Sequence, residues 1–88
     1  MSVFTALEKD MMDEMYFVIS FQELENIFPV TQEELMTALQ HLVNEEMISQ
    51  LHFVKNDFEK VDPPDFFSLE KSSFVANKKG LLTLNTGF

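Results

Sequence analysis

The chain contains no cysteine and no arginine, and only two glycines and three prolines in 88 residues. Without cysteine there is no disulfide framework and no thiolate metal site. The two glycines, Gly80 and Gly87, cannot supply a glycine-rich loop of the kind that cradles phosphate. No apolar run approaches the ~18 residues that read as a membrane helix, so no membrane partner is expected. The N-terminus shows neither a basic segment nor a cleavage pattern, so no signal peptide is read there and the expected location is cytoplasmic.

Bases are scarce and unevenly placed. The net charge is −9. Residues 1–54 hold one base, Lys9, against ten acids: Glu8, Asp10, Asp13, Glu14, Glu23, Glu25, Glu33, Glu34, Glu45 and Glu46. In residues 55–88 five lysines (Lys55, Lys60, Lys71, Lys78, Lys79) are matched by Asp57, Glu59, Asp62, Asp65 and Glu70. Nucleic-acid binders neutralise phosphates with Lys and Arg, and Arg is the commonest reader of guanine. The first half of this chain has almost none of the former and none of the latter. Acidity also serves simply to keep a small domain soluble.

What is present suits one domain over residues 1–88. The chain is 45% hydrophobic with ten Phe, enough for a modest core. Its organising stretch is Ser20 to Met47, which reads as two helices joined by a tight turn. Each starts with a capping box, Ser20 with Glu23 and Thr31 with Glu34. A helix leaves its first four N–H groups without partners; a Ser or Thr N-cap accepts from the third residue in, and a Glu there reaches back. Pro29 cannot continue the first helix, because it lacks an N–H and its ring clashes with the preceding turn. Two helices so joined form a helix-turn-helix over 20–47. The first is expected to bury Phe21, Leu24, Ile27 and Phe28. The second buries Leu35, Leu39, Leu42 and Val43, with Met36 and Met47 at the stripe's edges. At 100° per residue its far face is Glu33, Thr37, Gln40, His41 and Asn44, flanked by Glu34 and Glu45.

Around this pair, Ser2 is read as the cap of a first helix that runs to about Met15, with Phe4, Leu7, Met11 and Met15 as its apolar stripe. Tyr16 to Ile19 suits a short extended segment. Ile48 to Lys55 changes to a period of two and predicts a half-buried strand, ended by a turn at Asn56-Asp57. Pro63 and Pro64 interrupt regular pairing, since neither donates to a ladder. Phe66, Phe67 and Leu69 are too apolar for a free linker and are expected to cover an edge of the core, and Ser72 to Ala76 is the returning strand. Asn77-Lys78-Lys79-Gly80 admits a turn or a helix cap. The turn is favoured, because lysine at a helix N-terminus opposes the dipole and Gly costs ~1 kcal/mol relative to Ala inside a helix.

The order helix, short strand, helix, helix, strand, long turn, strand resembles the winged helix-turn-helix family. The residues that carry the resemblance are SFQELENIF, TQEELMTALQHLVNEEMI and the segments LHFVKND…SSFVAN. It implies an α+β fold in which a three-helix bundle is followed by a β-hairpin wing, here residues 48–76 with an insertion. In the family a glycine usually follows the third helix; Glu46 holds that place. In members that bind DNA the third helix enters the major groove. Carried over by position, the contact residues are Glu33, Thr37, Gln40, His41 and Asn44, with Lys55, Lys60 and Lys71 from the wing. Gln40 and Asn44 are of the type that reads adenine, but Glu33, Glu34 and Glu45 would meet phosphates.

No catalytic constellation is read from the chain, no cofactor or small-molecule substrate is inferred, and the expectation is a non-enzymatic protein. His41 and His52, with Glu45 four residues after His41, give at most three metal ligands, short of a structural site, and no metal is assigned. Two functions follow. One is a protein-interaction module that docks a partner or a second copy of itself, with Phe58, Phe66, Phe67 and Phe88 as apolar residues lacking a periodic home. The other is a DNA-binding transcriptional regulator of the winged-helix class, acting as a dimer.

Overall fold

The computed structural model describes residues 3–87. Among them the elements are α1 (Ala6–Asp13), β1 (Ile19–Ser20), α2 (Phe21–Ile27), α3 (Gln32–Asn44), β2 (Ile48–Val54), β3 (Asp57–Lys60), a 3₁₀ segment (Phe66–Lys71), β4 (Ser73–Ala76) and α4 (Lys78–Thr86). The architecture is α+β, with helices packed on a four-stranded antiparallel sheet of order β1-β4-β2-β3. No described helix is long and apolar enough to cross a membrane.

Both expected capping boxes form: Ser20 Oγ and Thr31 Oγ1 each accept from the N–H three residues on, at 3.1 Å. A third box opens α1. Thr5, not Ser2, is its cap: Glu8 N–H donates to Thr5 Oγ1 at 3.1 Å and Thr5 N–H donates to Glu8 Oε1 at 2.7 Å. Ser2 lies outside the described residues. The helix ends at Asp13 rather than near Met15.

The core gathers Met11, Met12 and Met15 with Phe21, Leu24, Leu35, Leu39, Leu42, Val43, Ile48, Leu69 and Phe74. Ile27 departs from its expected place and is exposed, while Phe28 is half-buried against the cluster. At the end of α3, Glu46 adopts φ 59°. Met47 N–H donates to Leu42 O, and Glu46 N–H donates to Val43 O, both at 3.0 Å. That pair of bonds is a Schellman motif, whose αL position favours glycine. Here a glutamate occupies it.

The strands differ most from the sequence reading. Asn56-Asp57 is not the turn. Lys55 and Asn56 make it, with φ of 52° and 65°, which is the left-handed twist a two-residue hairpin loop needs. Asp57 already belongs to β3, where Val54 faces Asp57 and Phe53 faces Phe58. Ser73–Ala76 does return to β2, but on its other side, between β1 and β2. The supposed single hairpin is therefore two pairings that share β2, and the extra strand comes from the segment expected to be an insertion. Of the apolar residues after the prolines, Leu69 is buried and Phe66 packs against the core, but Phe67 is wholly exposed.

Residues 77–80 begin a helix, not a turn. Asn77 Oδ1 accepts from Gly80 N–H at 3.0 Å. The objections to a helix here are outweighed by tertiary contacts. Lys79 Nζ donates to the Glu45 carbonyl at 2.9 Å, at the C-terminal end of α3 where cations are favoured. A Cβ on Gly80 would stand 2.0 Å from the Met47 carbonyl oxygen, so only glycine lets α4 lie this close.

Candidate functional site

Glu33, Thr37 and His41 recur every four residues, so they line one side of α3. Across from them stand Val3, Thr5, Leu7 and Glu8, from the start of α1 and the chain leading into it. The space between is an open groove of about 800 Å³, to which Thr31, Glu34 and Ala38 also contribute. Its apolar surface comes from Val3, Leu7, Ala38 and the threonine methyls. Its charge comes from Glu33 and Glu34, both exposed, and from Glu8 beneath. Glu34 reaches back with one carboxylate oxygen to its own cap, Thr31 Oγ1, at 3.0 Å.

One end of the groove is closed by a contact absent from the sequence reading. Glu8 is buried, yet both its oxygens are used: Oε1 by the Thr5 N–H and Oε2 by His41 Nδ1. Glu8 Oε2 and His41 Nδ1 form a hydrogen-bonded acid–imidazole pair in which donor and acceptor follow the tautomer. The Phe4 ring lies against the imidazole with centroids 5.3 Å apart. His41 thus lines the groove while engaged with Glu8. It is half-buried and fastens α3 to α1, which removes the cost of an unpaired charge at Glu8. The Thr5-to-Glu8 spacing was a signal in the sequence for this end of α1. Nothing local marks His41 as the partner.

The remaining residues of the expected face separate. Gln40 is half-buried and Asn44 exposed. Asn44 borders a second, more polar groove of about 540 Å³ that also holds Glu46, Lys60, Asp62, Lys78 and Lys79. The wing lysines sit on three different parts of the fold: Lys55 in the hairpin turn, Lys60 at the end of β3, Lys71 in the last turn of the 3₁₀ segment. The acids Asp57 and Glu59 share the short strand with Lys60.

His52 stays apart from His41 as well. Its Nε2 lies 3.0 Å from Ser68 Oγ and 3.1 Å from Ser72 Oγ. Gln50, buried in the same place, donates to Ser72 Oγ and to Asp65 O at 2.8 Å and accepts from Asp65 N–H at 2.8 Å. This network pins the 3₁₀ segment to β2. Among the described residues no group of three or more His, Asp or Glu is placed to hold a metal ion. No protein-family model matches the chain, and no curated protein or solved structure resembles it significantly.

Proposed function

We propose that the chain is a non-enzymatic, winged-helix-like binding module that docks a protein partner on the outward side of α3. The observation that carries this reading is the groove itself. It is open, partly apolar, bounded by Glu33 and Glu34, and lies along the helix that a DNA-binding relative would use for reading. The order α1-β1-α2-α3 followed by β2 and β4, with β4 between β1 and β2, supports the winged-helix part of the reading. The β2–β3 hairpin then serves as the wing. Both histidines are engaged in contacts that hold elements together, which supports a binding role over a catalytic one. A polyanion approaching the start of α3 meets Glu33 and Glu34, and the lysines near the far end of the helix, Lys60, Lys78 and Lys79, share their groove with Glu46 and Asp62, which disfavours the regulator reading.

A second copy of the chain is one form of partner within this reading. Phe53 and Phe58 pair across the hairpin with centroids 5.1 Å apart and remain exposed, as does Phe67. Phe66 is packed against the core, and Phe88 lies outside the described residues. Association through this apolar patch, apart from the α3 groove, is tested by sedimentation at micromolar concentration and high salt, where charge repulsion is screened; a monomer throughout removes the second copy as the partner.

The docking face is tested by placing a photo-crosslinking residue at Thr37 and, as a control, at Asn85 on α4, both exposed. In nuclease-treated extract from the native cells, the Thr37 protein should form a discrete protein adduct that the Asn85 protein does not. Adducts only with nucleic acid, or equal labelling from both positions, overturn the reading.

A further inference from the structure

The groove has a chemistry that narrows its occupant. At about 800 Å³ the open groove has room for several side chains. Its lining holds four ionisable residues, and two of these, Glu8 and His41, are spent on each other. Glu33 and Glu34 remain at the surface, and among the described residues neither is ion-paired to a cation. Glu34 keeps its second oxygen free of the cap. Between these carboxylates and α1 lie Val3, Leu7 and Ala38. Val3 is 84% exposed, an apolar side chain with little of its surface covered. The site therefore offers an apolar floor beside an acidic edge, in a chain half whose only base is Lys9.

We propose that this groove takes a basic, amphipathic segment of a partner protein. A bulky apolar side chain enters between Leu7 and Ala38, and flanking Lys or Arg residues reach Glu33 and Glu34. The inference rests on the docking reading above and adds the partner's chemistry to it. Charge complementarity selects this occupant over a second copy. Two chains at −9 repel at long range, whereas a basic segment is drawn in, and steering of that kind raises the association rate. The mode is a helix or short segment laid into a groove, held by a few apolar anchors and aligned by rim charges.

The test uses fluorescence anisotropy with three synthetic labelled peptides: one carrying lysines around leucines at helical spacing, one with every lysine replaced by glutamate, and one with every leucine replaced by serine. The first should bind saturably at one per chain, with Kd on the order of micromolar, and weaken as salt is added. The glutamate peptide should not bind. The serine peptide should bind at least about tenfold more weakly, since the anchor's burial is lost. Glu33→Lys and Thr37→Arg, both at exposed positions, should each weaken the first peptide about fivefold or more; Thr37→Arg should leave the melting temperature unchanged, and Glu33→Lys should lower it slightly, because a lysine in the first turn of α3 opposes the dipole. Equal binding of the lysine-leucine and lysine-serine peptides overturns the proposal, because it shows charge attraction without a groove. So does binding that both variants leave unchanged, or no binding by the folded protein. If the Thr37 crosslink captures a protein while these peptides stay silent, the docking face stands and the basic chemistry falls. If the crosslink fails too, both fall.

Discussion

The helical half, residues 3–47, and the sheet-bearing half, residues 48–87, fasten their elements in opposite ways. In the first, every helix starts with a capping box closed between residues three apart: Thr5 with Glu8, Ser20 with Glu23, Thr31 with Glu34. In the second, Asp65 and Asn77 cap locally, but the joints between elements are long-range. Gln50 reaches residues 15 to 22 positions away, and Gly80 meets the Met47 carbonyl. The two halves also divide the charge, since residues 3–47 carry the whole net −9 and in residues 48–87 five lysines match five acids. The buried polar clusters follow the same division. Glu8–His41 is an acid met by an imidazole, and the cluster around Gln50 is made of neutral groups and backbone. The contrast teaches that the half with local joints is the half free to carry an unbalanced surface charge, because its helix starts depend on few distant partners.

The comparison can be broken at its strongest points first. Leu39 is fully buried in the helical half, and Leu39→Ala should cost ~2–5 kcal/mol in a thermal or urea melt. A loss below ~1 kcal/mol would remove Leu39 from the core, far under the range for such truncations. Next comes an asymmetry inside the charged cluster. His41→Ala leaves Glu8 buried without its partner and should cost ~3 kcal/mol, the low end for breaking a buried pair. Glu8→Gln should cost only ~1 kcal/mol, because an amide still accepts from Thr5 N–H and His41 has access to water. Equal losses in the two variants contradict the view that the buried Glu8, and not the partly exposed His41, is the member that needs its partner.

In the sheet-bearing half the matching break is Gly80→Ala. The added methyl must displace the Met47 carbonyl or lift α4, which should cost ~1–3 kcal/mol as overpacking does. A parent-like melt would show that α4 does not lie against the end of α3. The caps come after. Thr31→Ala and Ser20→Ala should each cost ~1 kcal/mol. Two parent-like melts there contradict the local-joint account of the helical half. The smallest effect has the opposite sign. Glu46→Gly relieves an L-residue held at φ 59°, and after the extra entropy of an unfolded glycine it should stabilise by ~0.5–1 kcal/mol.

Legibility in the sequence follows the same line between local and long-range joints. The boxes at Ser20 and Thr31 and the periodic core of α3 are visible because each signal spans a few residues. The box at Thr5 has the same spacing, but reading the helix from Ser2 passes over it. The left-handed site after α3 is visible as a place where the family resemblance expects glycine and Glu46 stands. Helix α4 is visible only as the disfavoured alternative at Asn77, because what stabilises Lys79 and Gly80 is the end of α3, more than thirty residues earlier. The outward face of α3 is read correctly at Glu33, Thr37 and Asn44. Gln40 and His41 are half-buried, and the sequence does not show that His41, which lines the groove, is engaged by Glu8, 33 residues away on another helix.

That charge on the α3 face, and not the shape of the fold, decides the class of partner is tested most directly with labelled random-sequence duplex DNA. The wild-type domain and a variant with Glu33, Glu34 and Glu45 replaced by Gln are titrated side by side by anisotropy. Gln keeps the capping geometry at Glu34, and the Glu45 carbonyl still holds Lys79. The wild-type protein should show no binding at ~0.15 M salt, where non-specific binders reach ~10⁻⁴–10⁻⁶ M, and the neutralised variant should gain measurable affinity at lower salt. Micromolar binding by the wild-type domain that weakens steeply with added salt would contradict the account and make the wing lysines Lys55, Lys60 and Lys71 the contacts to examine.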